Sequence, residues 1–371
     1  MNRVIAFSLL AAAAFAQTAA ELNNLGAARF AAGDTAQAER LFHAALANAG
    51  DALTRAKIIG NLAALKKREC RYTDAAALFE RALELRRAAL GEDHVDVAVA
   101  WNNLGEARRL EGRPEDAARL FERALAILEP RPGSGADAGL VLANLAELRR
   151  AAGKLTEAEA MLRRALVRLE ETAGGSRQMA IALNNLAELL MEAGDLDGAE
   201  PLHRRAVAIW DSAAGAPLDQ AISWTNLGRL EQARGRYVEA ESLHRRAIGR
   251  LEDARLEATP VYAAALHNLG SLFAAQSRFE AARDLMERAF AITGRALGPN
   301  HPSLAGPALE YAVVLRRTRR KSEAARIEAR VRAIVEEHRR DGNSAQVIDA
   351  KVLRSLRPKR SVRGFSTEPR P

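Results

Sequence analysis

One pattern recurs eight times between residue 20 and about residue 340, and it constrains the fold more than any other feature of the chain. Seven copies open on Asn-Leu and a small residue, and the eighth has Glu310-Tyr311-Ala312 instead. In every copy a position usually held by Gly follows nine residues after the opening residue, and Ala stands five residues later. Residues at the Gly position are spaced by 37, 42, 41, 41, 41, 42 and 42 residues. They are Gly33, Cys70, Gly112, Gly153, Gly194, Gly235, Ser277 and Arg319. A period of this length predicts an array of stacked units.

Each unit is predicted to be a pair of helices. Ala, Leu, Arg and Glu dominate the chain and aromatic residues make up only 5%, a mixture that favours helices over strands. Gly ends a first helix, because it enters the left-handed conformation at little cost. Alanines seven residues apart, such as Ala117 and Ala124, form one stripe of a second helix. A single hairpin cannot bury these stripes, so the fold class is all-α, an α-solenoid of about eight hairpins.

By these residues the chain resembles the tetratricopeptide repeat family. Trp101 and Trp224 stand two residues before the Asn, where the family has its first-helix tryptophan. The period and the segment Leu183–Ala187 resemble the longer repeat of kinesin light chains, as do the connectors at 90–94 and 297–302. The resemblance implies a right-handed superhelix whose first helices line an inner groove. It also implies a non-catalytic scaffold that binds a protein or an extended peptide there.

The first 16 residues are predicted to be a secretory signal peptide. Arg3 precedes an apolar run from Val4 to Phe15, and Ala14-Phe15-Ala16 has the small-x-small pattern of a cleavage site. The run is too short to span a bilayer, and no later segment is apolar enough to do so. We therefore expect a mature chain beginning at Gln17 in a bacterial periplasm or outside the cell.

Residues 17–340 are predicted to be the solenoid, and residues 341–371 a basic, flexible tail. From Lys351 to Pro371 there are seven Lys or Arg against one Glu, a net +6 of the chain's formal +8. Such a tail is either a solvated end or a contact for anionic surfaces. Nucleic acid is not an expected partner of an exported chain.

The repeated Asn is the candidate peptide-binding residue. In the family that the chain resembles, this Asn faces the groove, where an amide can both donate to and accept from a peptide backbone. The alternative is that each Asn bonds within the stack and only holds neighbouring repeats together. The candidates are Asn61, Asn103, Asn144, Asn185, Asn226 and Asn268.

A basic residue follows the Asn by six positions in several copies and is a second candidate contact. Lys67, Arg109 and Arg150 would favour carboxylates in the groove. Alternatively, Arg109 and Arg150 pair locally with Glu106 and Glu147, three residues earlier on the same helix.

No catalytic or metal-binding motif is found in the sequence, and no cofactor is expected. His203 and His244 occupy the same repeat position, in Leu-His-Arg-Arg-Ala, which predicts a recurring surface position and not a metal site. Two alternatives remain at this stage: a cytosolic regulator with the same fold, and an accessory subunit of an enzyme complex.

Overall fold

The computed structural model describes residues 18–31, 33–69, 71–171, 177–213 and 215–340. This part of the chain contains sixteen α-helices and no strand, which confirms the predicted all-α fold of stacked hairpins. The predicted signal peptide at 1–16, the tail at 341–371 and Cys70 lie outside the described residues. The helices are α1 Ala19–Ala31, α2 Thr35–Ala47, α3 Ala52–Arg68, α4 Tyr72–Leu90, α5 Val95–Leu110, α6 Pro114–Leu128, α7 Gly135–Ala151, α8 Leu155–Glu170, α9 Arg177–Ala193, α10 Leu196–Ser212, α11 Pro217–Ala233, α12 Tyr237–Asp253, α13 Pro260–Ala275, α14 Phe279–Leu297, α15 Ala305–Arg317 and α16 Lys321–Arg340.

The helices pair in chain order, so every odd-numbered helix is the first helix of a hairpin and every even-numbered helix is the second. The described residues fall into two compact units, one ending at Ile209 and the other beginning at Trp210. In the first unit, each second helix from α2 to α8 also packs against the following first helix, and α7 contacts both α5 and α9. In the second unit α12 packs against α13, α14 packs against α15, and a short 3₁₀ helix, Pro302–Leu304, precedes α15.

The helices of a hairpin cross where small residues let them approach. The alanine five residues beyond the Gly position is fully buried in all eight copies, from Ala38 to Ala324. A methyl group added to Gly105 would stand 2.6 Å from the Phe121 ring, and one added to Gly270 would stand 2.9 Å from Met286. The small residue two positions after the Asn therefore makes room for a large side chain of the second helix.

The first helices end as the repeated Gly predicts. At this position φ is positive at Gly33, Gly112, Gly153, Gly194 and Gly235, the left-handed conformation that glycine adopts at little cost. At Gly112 the following Arg113 N–H donates to Arg108 O at 2.9 Å, which closes the end of α5.

Candidate functional site

The six candidate Asn residues are each half-buried on the accessible side of a first helix. Asn61, Asn103, Asn144 and Asn185 stand at equivalent positions on α3, α5, α7 and α9 of the first unit. Asn226 on α11 and Asn268 on α13 hold the same position in the second unit. Each keeps part of its side chain accessible, so each could meet a ligand if its amide is not already engaged.

Two of these amides are engaged within the stack. Asn61 Nδ2 donates to Asn23 Oδ1 of the preceding first helix at 2.8 Å, and Asn144 Nδ2 donates to Asn102 Oδ1 at 2.8 Å. The acceptors are buried and stand one residue before the repeated Asn of the preceding copy. At these two copies the geometry is that of the stacking alternative.

The other four amides make no hydrogen bond with the described residues: Asn103, Asn185, Asn226 and Asn268. The physical reason is visible for Asn103 and Asn185. The residue that would accept from them in the preceding first helix is Gly60 or Ala143, and neither has a side-chain oxygen. Beside Asn185 there is a small depression of about 130 Å³, lined by Ala143 and by Glu188 of its own helix.

An apolar row runs beside the Asn positions and was missed from the sequence. Four residues before the Asn, one helical turn away on the same face, stand Val99, Leu140 and Ile181 in the first unit. Val99 is half-buried, whereas Leu140 and Ile181 are each 38% exposed. The second unit has Ile222 at this position, 39% exposed, with Ala264 in the following copy. The signal that could have revealed the row is an apolar residue at the same repeat position in four successive copies.

Charged side chains on the other side of the Asn positions largely neutralise one another. Lys67 Nζ donates to Glu106 Oε2 of the next first helix at 2.7 Å. Arg150 donates two hydrogen bonds to Glu147, at 2.9 and 2.7 Å, and a third to Glu192 at 2.7 Å. The Glu147 hydrogen bonds, and then Glu192, hold the pKa of Arg150 above its ordinary value. Partly exposed pairs of this kind contribute only a few tenths to about 1 kcal/mol each.

Of the three predicted basic contacts, only Arg109 lacks an ion pair among the described residues. The local pair of Glu147 with Arg150 is present, as its spacing predicts. Glu106, however, pairs with Lys67 and not with Arg109, because Lys67 reaches across from the preceding first helix.

The prediction of a surface position for His203 and His244 is wrong, since both side chains are fully buried. They occupy the place of Phe42, Phe121 and Met286 in other copies, facing the small residue of the first helix. His203 Nδ1 lies 2.9 Å from Asn184 Oδ1. Neither ring nitrogen of His244 has a hydrogen-bond partner among the described residues.

The described residues contain no group of three or more His, Cys, Asp and Glu side chains placed to hold a metal ion. Within the same ranges, no helix is both long and apolar enough to cross a membrane. What the first-helix face offers is therefore amides, apolar side chains and paired charges.

Family models described as tetratricopeptide repeat match residues 54–129, 141–175, 178–253 and 263–303, more than half of the chain in total. The chain belongs to the tetratricopeptide repeat family. Repeats of this family generally serve as non-catalytic scaffolds in protein–protein interaction. Comparison with curated proteins gives no significant match.

Among solved structures, these tetratricopeptide repeats are similar to the apo form of RapI, with a TM-score of 0.59, 13% identity, and coverage of 76% of this chain and 99% of that one. This likeness concerns the fold. BtubC (BKLC) from P. vanneervenii is 27% identical over 63% of this chain and 92% of its own, with a TM-score of 0.47. A putative kinesin light chain of Podosopora anserina with nearly identical TPR-like repeats is 22% identical over 57% of this chain and 100% of its own, with a TM-score of 0.46.

Proposed function

We propose that the chain is an exported, non-catalytic scaffold whose first-helix face binds an extended segment of a partner protein. The observation that carries the proposal is the pair of free amides at Asn103 and Asn185, each one turn from an accessible apolar side chain, Val99 or Ile181. A free amide can donate to a peptide carbonyl and accept from a peptide N–H, so it holds a backbone largely independently of sequence. The apolar row supplies contact area for the side chains that such a segment directs at the protein.

The paired charges indicate what kind of segment is favoured. Because Lys67 and Arg150 already bind carboxylates of this chain, a partner gains little by offering its own. Recognition then rests on backbone hydrogen bonds and apolar contact, with Arg109 as the one cation of the predicted three that is left to attract an acidic group.

The test separates free amides from engaged ones. A partner is first captured from the native envelope fraction by immobilised residues 17–371 and identified, and its dissociation constant is then measured by calorimetry. We expect the double variant Asn103→Ala/Asn185→Ala to bind more weakly by about 1–3 kcal/mol, roughly 5- to 150-fold, with an unchanged melting temperature.

The matched control is Asn61→Ala/Asn144→Ala, which removes two amides that bond within the stack. This variant should unfold at a lower temperature, because Asn23 and Asn102 lose their partners while buried. Equal affinity of the wild type and the Asn103/Asn185 variant would remove the ligand-binding role from these amides.

A further inference from the structure

A cavity of about 230 Å³ opens beside Asn268 in the second unit, bounded by α13, α14 and the beginning of α15. Its walls are mainly apolar: Met286 and Phe290 come from α14, and Leu304 comes from the 3₁₀ helix before α15. Ala264 and Asn268, one turn apart on α13, line it on the accessible side of the first helix. It is thus a hollow at the position where other copies carry the apolar row.

The cavity is associated with a change in that row. The position four residues before the Asn holds Leu140, Ile181 and Ile222 in three successive copies, whereas this copy has Ala264. An alanine lacks the three further side-chain carbons of leucine or isoleucine. Where those three copies present a large apolar side chain outward, this copy presents an opening.

The polar side chains in the lining are Asn268, His267, Thr293 and Ser303, and together they favour an apolar occupant. The Asn268 amide makes no hydrogen bond with the described residues, so it is free to meet a backbone group. His267 is the only ionisable residue in the lining, and its Nε2 lies 3.4 Å from Glu310 Oε2. A charged occupant would be desolvated without a dedicated partner, at a cost of several kcal/mol, whereas an apolar one would not.

We propose that this cavity binds one bulky apolar side chain, such as Phe, Leu or Met, of an extended peptide whose backbone is held by the Asn268 amide. The volume is adequate, since an apolar protein cavity of about 150 Å³ binds benzene. The inference rests on the proposed function, because it takes the partner to be an extended segment on the first-helix face. It adds an anchoring residue to that partner, and it places the anchor at the seventh copy.

The cavity can be tested without the natural partner, through the methyl group of Met286. The chain contains five methionines, so ¹³C-methyl methionine labelling gives few signals, and Met286→Leu identifies the one from the cavity wall. The probes are N-acetyl-phenylalaninamide and N-acetyl-leucinamide, which carry an apolar side chain between two peptide groups, and N-acetyl-aspartamide is the charged comparison. We expect a saturable shift of the Met286 signal with the two apolar probes only.

Two variants test whether the cavity and the Asn268 amide are responsible for binding of the apolar probes. Ala264→Leu introduces the side chain that the fourth copy has at this position, Leu140, and should abolish the Met286 response while the melting temperature stays the same or rises. Asn268→Ala should weaken the apolar probes about tenfold, with the fold intact. An unaltered response in Ala264→Leu, or no response in the wild type, would overturn the proposal. Equal probe affinities of Asn268→Ala and the wild type would refute the part of the proposal in which the Asn268 amide holds the peptide backbone.

Failure of the cavity proposal can be distinguished from failure of the proposed function. The Asn103→Ala/Asn185→Ala variant alters the first unit and should leave the Met286 titration unchanged. If the Met286 signal shifts with the apolar probes but Asn103→Ala/Asn185→Ala binds the partner normally, the cavity is a binding site and the amides of the first unit are not. If the Met286 signal does not shift but that variant binds the partner more weakly, the amides are a binding site and the cavity is not.

Discussion

At the residue scale, one position of the second helix shows how sequence patterning misleads. Four residues after the repeated alanine that follows the Gly position stand Phe42, Phe121, His203, His244 and Met286 in different copies, all buried. Polar His at a repeated position predicts the surface, yet the position faces the small residue of the first helix. At Gly228 an added methyl group would stand 2.7 Å from the His244 ring, so the ring fills the space that a phenyl or thioether fills elsewhere. The hydrophobicity of histidine does not predict that these two side chains are buried. Their alignment with Phe42, Phe121 and Met286 at the same repeat position does.

The buried His244 ring makes stability depend on pH. Desolvation, reinforced by the nearby charge of Arg229, lowers the pKa of His244 to about 4. An unfolded His has a pKa of about 6.5 and so takes up a proton first as the pH falls. The free energy of unfolding is therefore unaffected by His244 above about pH 6.5, where the ring is neutral in both states. It decreases as the pH falls from about 6.5 to about 4, by a total of about 3 kcal/mol.

We expect His244→Met, which copies the seventh repeat, to remove the contribution of His244 to this pH dependence, while His267, whose pKa is also lowered by burial, keeps its own. It should also raise the free energy of unfolding at pH 7 by about 1–3 kcal/mol, because it removes two buried nitrogens that have no hydrogen-bond partner in the part of the chain that the structure describes. Urea unfolding at pH 7 and pH 5 measures both effects. His43→Gln, at a His whose side chain is 62% exposed, is the control and should leave the difference between the two pH values as in the wild type. A wild-type pH profile in His244→Met would contradict the assignment.

At the scale of single elements, helix ends could be predicted best. The repeated Gly marks the end of the first helix, and the positive φ at five of these glycines has the geometry that this residue type allows. Two copies have another residue in place of this Gly, and the backbone there keeps the left-handed conformation: φ is 61° at Ser277 and 65° at Arg319. The packing of the hairpin therefore imposes the left-handed conformation on residues that adopt it at a cost of about 1–2 kcal/mol.

Ser277→Gly is predicted to stabilise the seventh hairpin by about 1 kcal/mol. Glycine relieves the strain of the left-handed conformation in the folded state, and part of this gain is offset because glycine makes the unfolded chain more flexible. Thermal unfolding followed by circular dichroism measures the change. The matched control is Ser322→Gly, at an exposed position in the first turn of α16, where glycine should instead destabilise by about 0.5 kcal/mol or less. Opposite signs for the same chemical change are the expected result; a destabilising Ser277→Gly would show that the backbone there is not strained.

At the scale of the whole molecule, the period alone predicts the fold class, the number of hairpins and the order of their helices. The site could be predicted only as a row of positions. Which amides are free depends on the neighbour one copy earlier: Asn23 and Asn102 engage the next Asn, whereas Gly60 and Ala143 cannot. That is a contact between residues 38 or 42 positions apart, and it becomes readable only once the stacking register is known.

The proposed export of the whole chain leads to a prediction about its first residues. Because Ala14 and Ala16 provide the small side chains that a signal peptidase accepts, the secreted form should begin at Gln17. Mass spectrometry of protein from the periplasmic and cytoplasmic fractions of a Gram-negative host identifies the terminus and its location. Replacing both alanines with leucine should leave an uncleaved precursor, longer by 16 residues, in the membrane fraction, because bulky residues block the peptidase while the run stays apolar. Intact Met1 on soluble cytoplasmic wild-type protein would refute export and favour the cytosolic regulator.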